Sequence, residues 1–142
     1  MEQINKETIA ALVSEADRML ERAYVPYSRF RVGAALLCDD GSIYSGCNIE
    51  NASYPAGSCA ERTAISKAVS EGKTSFLCIV IVGGKEGIKS DICPPCGVCR
   101  QFMREFVDPH SFKVILAKTR TDYKEFLLEE LLPLSFGPDQ LD

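Results

Sequence analysis

Phe76-Leu77-Cys78-Ile79-Val80-Ile81-Val82 is apolar at every position. A strand with one wet face alternates apolar and polar residues, so an unbroken run implies a strand covered on both faces, in the middle of a sheet. A chain built around such a strand needs packing layers on each side of that sheet. Gly83-Gly84 is expected to end the strand.

The covering elements can be read on either side of this run. Ile9, Leu12, Val13, Ala16, Met19, Leu20 and Ala23 recur at helical spacing, which predicts an amphipathic helix from roughly Lys6 to Tyr24, ended by Pro26. Val32 to Cys38 and Ser42 to Asn48 read as the strands of a hairpin turning at Asp39-Asp40-Gly41. Pro55-Ala56-Gly57-Ser58 then breaks the chain. Ser58 is expected to cap a helix from about Cys59 to Glu71, whose apolar face is Ala64, Ile65, Ala68 and Val69 and which Gly72 stops.

After the central strand, Pro94-Pro95 marks the start of a helix from about Cys96 to Phe106, followed by a strand Phe112 to Leu116. Glu125 to Leu132 reads as helical before Pro133. The alternation predicts a layered α/β domain with helices packed on a mixed sheet. At 142 residues, positions 1–142 are read as a single domain.

Composition narrows the function classes. The chain is 46% hydrophobic and 25% charged, which argues against a disordered segment or a coiled coil. Met1-Glu2-Gln3-Ile4-Asn5-Lys6-Glu7 lacks the basic and apolar regions of a signal peptide, and no apolar run approaches the roughly 20 residues needed to cross a bilayer. A cytoplasmic protein with no membrane partner is therefore expected. Seven cysteines cannot all pair within one chain, and in a reducing compartment metal binding is the better explanation of them. The net charge of −4, without a Lys/Arg stripe, disfavours stable binding to long nucleic acid.

Three cysteines stand at predicted helix starts: Cys59 at one, Cys96 and Cys99 at the next. Zinc binds thiolate, and the unpaired N–H groups and dipole of a first helical turn favour negative charge. Cys96-Gly97-Val98-Cys99 sets two sulfurs one turn apart, and Cys59 can supply a third, which leaves a fourth tetrahedral position open as in catalytic zinc sites. Glu61, two residues after Cys59, is a carboxylate suited to moving protons beside the metal. Zn²⁺ with three thiolates carries net charge −1, which weakens its power to acidify water, so the Arg62 guanidinium would restore part of that power by drawing charge from the sulfurs.

Cys59-Ala60-Glu61-Arg62 and Pro95-Cys96-Gly97-Val98-Cys99-Arg100-Gln101 resemble the zinc-dependent cytidine deaminase family in its short, homotetrameric form. The resemblance extends over Pro26-Tyr27-Ser28-Arg29-Phe30-Arg31-Val32-Gly33-Ala34-Ala35, Gly46-Cys47-Asn48-Ile49-Glu50-Asn51-Ala52-Ser53-Tyr54 and Leu131-Leu132-Pro133-Leu134-Ser135-Phe136-Gly137-Pro138, nearly the whole chain. It implies a three-layer α/β/α domain with a mixed sheet of about five strands, and one Zn²⁺ per subunit held by Cys59, Cys96 and Cys99. It also implies hydrolysis of cytidine and deoxycytidine to uridine and deoxyuridine with release of ammonia, in pyrimidine salvage. Water activated on zinc would attack C4 while Glu61 shuttles protons. Phe30 would pack on the pyrimidine, Asn48 and Glu50 would bond the ribose hydroxyls, and the Ala60 backbone would read the base edge. Family members build each site at a subunit junction, so Tyr54 and Phe136 would serve a neighbour's pocket in a homotetramer.

Other readings stay open at this stage. Cys38, Cys47 and Cys78 read as small buried hydrophobes. Cys93 with Cys59, Cys96 and Cys99 would make a closed structural zinc site, and hence an interaction module. An editing deaminase acting on nucleic acid would need a basic channel, and a deaminase of nucleoside antibiotics would depart at the ribose motif, where Asn48 and Glu50 stand. His110 reads as a surface loop residue, and Tyr27 and Gln101 as packing, interface or supporting residues.

Overall fold

The computed structural model describes residues 4–142. The reading of Met1-Glu2-Gln3 as part of a charged lead-in lies outside them. Among the described residues five strands, β1 (Phe30–Cys38), β2 (Ile43–Cys47), β3 (Phe76–Lys85), β4 (Lys113–Ala117) and β5 (Tyr123–Leu127), form a sheet in the order β2-β1-β3-β4-β5. The pairs β1/β2, β1/β3 and β4/β5 are antiparallel and β3/β4 is parallel, so the sheet is mixed as expected.

The two faces of β3 carry the two halves of the core. Cys78, Val80 and Val82 meet Ala35, Leu37, Ile115 and Ala117 under helix α1 (Lys6–Leu20), which contributes Ile9, Leu12, Val13, Ala16 and Leu20. Ile79 and Ile81 meet Ala34, Leu36, Val114 and Leu116 on the opposite face, beneath helices α2 (Ala60–Ser70) and α3 (Gly97–Phe106). Each Val, Leu or Ile side chain among them, once buried, stabilises the fold by about 1.5–3 kcal/mol. The arrangement is the three-layer α/β/α fold with five strands.

Four expectations need correction. α1 stops at Leu20 because the chain turns to pair elsewhere: the Tyr24 N–H donates to the Asn48 carbonyl at 2.9 Å, and the Glu50 N–H donates to the Tyr24 carbonyl at 2.8 Å. Gly83-Gly84 does not end β3. Both glycines stay paired with Val32 and Arg31 of β1, and they are needed there for space, since a Cβ on Gly84 would lie 1.8 Å from the Ile88 carbonyl oxygen.

Glu125 to Leu132 is not one helix. Tyr123–Leu127 pairs along β4, and only Leu128–Leu131 is helical, as a single turn α4 that begins where the Leu127 N–H donates to Glu130 Oε1 at 2.8 Å. An edge strand with one partner carries too little apolar alternation to stand out from a helical pattern. Ser58 does not cap α2 either; Cys59 occupies that position, and the Ser58 hydroxyl lies 3.1 Å from Thr63 Oγ1.

Candidate active site and metal centre

Cys59 is the N-cap of α2 and Cys96 the N-cap of α3, with Cys99 in the first turn of α3. The polypeptide at both caps is extended, which turns each side chain back across the first helical turn without a side-chain cap hydrogen bond. Three sulfurs therefore converge, all within 4.8 Å of one another. Cys59 Sγ is 3.8 Å from Cys96 Sγ, and Cys96 Sγ is 3.4 Å from Cys99 Sγ. Zn–S bonds of 2.3 Å in a tetrahedron require sulfurs about 3.8 Å apart, so the donor set fits zinc in type and in spacing.

The electrostatics favour thiolate at Cys59. Cys59 is held down to about 5, first by the Cys99 thiol bonding to its sulfur, then by Arg62, and the same sharing of one proton pushes Cys99 up. Arg62 Nη2 lies 3.6 Å from Cys59 Sγ and 3.4 Å from the Gly57 carbonyl oxygen. Its Nε is buried and has no hydrogen-bond partner among the described residues. A guanidinium spent in this way on a sulfur is the charge relief that a three-thiolate zinc site needs.

Glu61 projects from the first turn of α2 into the same site and is 4% exposed. Burial, with the Cys59 thiolate adding to it, raises its carboxyl to about 7, the range in which one group both accepts and returns protons. The cleft in front of Glu61 is about 580 Å³, ordinary for a small-molecule site, and its walls are largely apolar.

Phe30, Asn48, Glu50, Tyr54, Ala60, Glu61, Arg62, Cys59 and Cys96 all border this cleft. Phe30 opens β1 and is 40% exposed there. The Asn48 side chain spans two β1 positions: its Nδ2 donates to the Phe30 carbonyl at 2.8 Å, and its Oδ1 accepts the Val32 N–H at 3.0 Å. Glu50 accepts the N–H groups of Tyr27 and Ser28 at 3.0 and 3.1 Å, and the Ser28 hydroxyl as well. Ala60 is the first residue of α2, where N–H groups have no acceptor within the helix.

Tyr54 borders the cleft of its own chain, its ring 6.2 Å from that of Tyr27. Phe136 is not brought to this cleft. It lies on the tail, where Gln101 Nε2 donates to its carbonyl at 2.9 Å, and the residue is 58% exposed. Gln101 is thereby a tether of the tail to α3. Arg100, the residue before it, donates to the Pro95 carbonyl and to the Leu131 carbonyl, both at 2.8 Å.

Cys93 stands outside the three-sulfur cluster. Its Sγ fills the space beside Gly83, and burial first, then Glu61 and Cys59, pushes the thiol up to about 11, so it stays protonated. Cys38 and Cys78 are fully buried and Cys47 nearly so, with burial raising all three thiols, as expected of small hydrophobes. His110 is exposed and 2.9 Å from Glu129. Tyr27, left open between packing, interface and supporting roles, lines the cleft, and so does Ser28, to which no role was given; their signal was their place three and two positions before Phe30 in the same motif.

The family model for the cytidine and deoxycytidylate deaminase zinc-binding region matches residues 6–115. The chain is 47% identical over 133 residues to the cytidine deaminase of Sporosarcina psychrophila, covering 94% of each chain. It is 48% identical over 131 residues to that of Halalkalibacterium halodurans, covering 92% of this chain and 96% of the relative. Among solved structures, cytidine deaminase from Burkholderia pseudomallei superposes with a TM-score of 0.80 at 41% identity, over 89% of this chain and 97% of that one.

Proposed function

The chain belongs to the cytidine and deoxycytidylate deaminase family, and on that premise we propose that its cleft hydrolyses cytidine and deoxycytidine to uridine and deoxyuridine, releasing ammonia. The observation that carries this reading is a buried carboxyl, Glu61, beside three convergent sulfurs at the bottom of a nucleoside-sized cleft.

Cys59, Cys96 and Cys99 would hold one zinc ion per subunit, with Arg62 drawing charge from Cys59. When bound, zinc supplies the Lewis acidity that makes water a nucleophile at neutral pH. Glu61 would take one proton from the attacking water and deliver it to N3 of cytosine, then take the proton of the hydroxyl now on C4 and pass it to the departing amine. The balance is one water consumed, the C4–N bond broken, a carbonyl formed and one ammonia released. Its carboxyl near 7 serves both directions of transfer.

Phe30 supports the pyrimidine face, the Ala60 backbone reads the base edge, and Asn48 and Glu50 meet the sugar hydroxyls. Two rings stand at the edge of the reading. Phe136, exposed on the tail, is suited to closing the cleft of a second copy, and Tyr54 at the rim to a shared junction, which supports a homotetramer. Residues 1–142 act as one catalytic domain, in the cytoplasm, in the salvage of pyrimidine nucleosides. No helix among the described residues is long and apolar enough to cross a membrane.

Ammonia release from cytidine, deoxycytidine, free cytosine and a cytidine-containing oligonucleotide, each with and without a chelator, tests the proposal. Turnover of the two nucleosides that the chelator abolishes is expected. Turnover of the oligonucleotide alone, or of none, would overturn it.

A further inference from the structure

Ser28 holds two parts of the cleft at once. Its hydroxyl donates to Glu50 Oε2, and Ser28 Oγ in turn accepts the Phe30 N–H at 3.0 Å. Its own N–H and that of Tyr27 donate to Glu50 Oε1. The Glu50 carboxylate is thus fixed by three donors from the short segment that leads into β1, and Ser28 lowers the carboxyl's pKa, so it stays ionised.

An ionised carboxylate offers about four acceptor directions. Three are taken here, two on Oε1 and one on Oε2, so one remains, on Oε2. What fills it must be a donor. A sugar hydroxyl qualifies, whereas a phosphate oxygen brings only acceptors and a like charge.

We infer that Ser28 is a positioning residue that aims the remaining acceptor direction of Glu50 at a single sugar hydroxyl and locks that aim to the ring of Phe30. The inference rests on the reading of Glu50 and Phe30 as the sugar and base contacts. Its physical content is register: through one hydroxyl, a shift of the sugar contact is a shift of the ring support too, so base and sugar are measured together.

The segment does not depend on that hydroxyl for its course. The Arg29 N–H donates to the Val25 carbonyl at 3.0 Å, and the Arg29 carbonyl accepts the Glu86 N–H at 2.7 Å. Arg29 itself sits at φ +58°, a sharp bend held by these two bonds and by an ion pair of 3.6 Å to Glu86. Ser28→Ala therefore removes the aiming bond and leaves the bend in place.

Steady-state kinetics of the zinc-loaded protein test this, with the parent, Ser28→Ala, Ser28→Thr, Glu50→Gln and the Ser28→Ala/Glu50→Gln double variant. The substrates are cytidine, 2′-deoxycytidine, 3′-deoxycytidine and free cytosine. Ser28→Ala is expected to raise KM for cytidine about tenfold while kcat stays within about twofold, and Ser28→Thr, which keeps the hydroxyl, to recover most of the loss.

In the Glu50→Gln background the alanine change should add little, because its partner is already altered. Its effect should also vanish on the one deoxy analogue to which Glu50→Gln is equally indifferent, and on cytosine. Additive losses in the double variant, or a kcat loss at unchanged KM, would overturn the inference, whether or not the threonine variant folds. A parent inert on every nucleoside would overturn the deaminase reading and this inference with it. An active parent with additive losses would overturn the inference alone.

Discussion

Arg62 reaches one helical turn back along α2 to place Nη2 3.6 Å from Cys59 Sγ, while its buried Nε has no partner among the described residues. The charge is held for the sulfur. Arg62→Ala is expected to fold and to lower zinc affinity or turnover by about tenfold or more. Metal titration by competition with a chelator and kcat/KM on cytidine check it; unchanged values of both would remove Arg62 from the mechanism.

Glu61→Gln keeps the shape of the side chain and loses its proton. The variant should retain zinc at parent stoichiometry and lose about 10² to 10⁴ in rate, with the larger figure favoured by its service in several steps. Elemental analysis and ammonia release on the same sample are sufficient, and a substantially active variant would contradict the role.

The same residue makes a stability prediction for the metal-free protein. Burial raises the Glu61 carboxyl to about 7 from an ordinary 4.5, so on raising the pH the unfolded chain ionises before the folded one. Between those two values the folded state keeps the proton on Glu61 that the unfolded chain has lost, and this group's contribution to stability falls with rising pH, by up to about 3 kcal/mol above pH 7. Metal-free Glu61→Gln should therefore match the parent in urea near pH 4 and exceed it near pH 8. An equal gap at both pH values would show that burial of the charge is not the cause.

Cys93→Ser should leave zinc content and turnover near those of the parent, since its sulfur packs beside Gly83 outside the three-sulfur cluster. Loss of metal in this variant would restore the closed four-cysteine site.

Gly46 lets α2 lie against β2. A Cβ there would be 2.6 Å from the Ala64 nitrogen and 2.7 Å from the Ala60 carbonyl oxygen, both backbone atoms. Gly46→Ala is expected to cost about 1–3 kcal/mol, read from the denaturation midpoint, and to weaken zinc binding, because the displaced helix starts at Cys59. Destabilisation with undisturbed zinc affinity would show that the helix start is held by α3 instead.

Local chemistry accounts for what the sequence could reveal. The run Phe76–Val82 implied a doubly covered strand because burial on two faces leaves no polar position, and Cys59, Cys96 and Cys99 implied helix-start sulfurs because Pro, Gly and helical spacing act over a few residues. The glycines after that run were misread for the same reason in reverse. Their local signal is a break, but the space they vacate is occupied by Ile88 and Cys93, which only the folded chain brings there. Likewise Tyr123–Leu127 became a strand through its pairing with β4.

What the sequence determined by itself was the layered architecture, the donor set and the neighbouring carboxylate, since each is written in residue type and short-range spacing. The tertiary structure alone decided which thiol stays outside the cluster, how Asn48 spans Phe30 and Val32, and that Glu50 is held by Tyr27 and Ser28. Those outcomes depend on hydrogen bonds and close contacts between segments 16 to 37 residues apart, formed where the β1/β2 edge of the sheet meets the starts of two helices. No local propensity encodes such distances; they are set by how the layers pack.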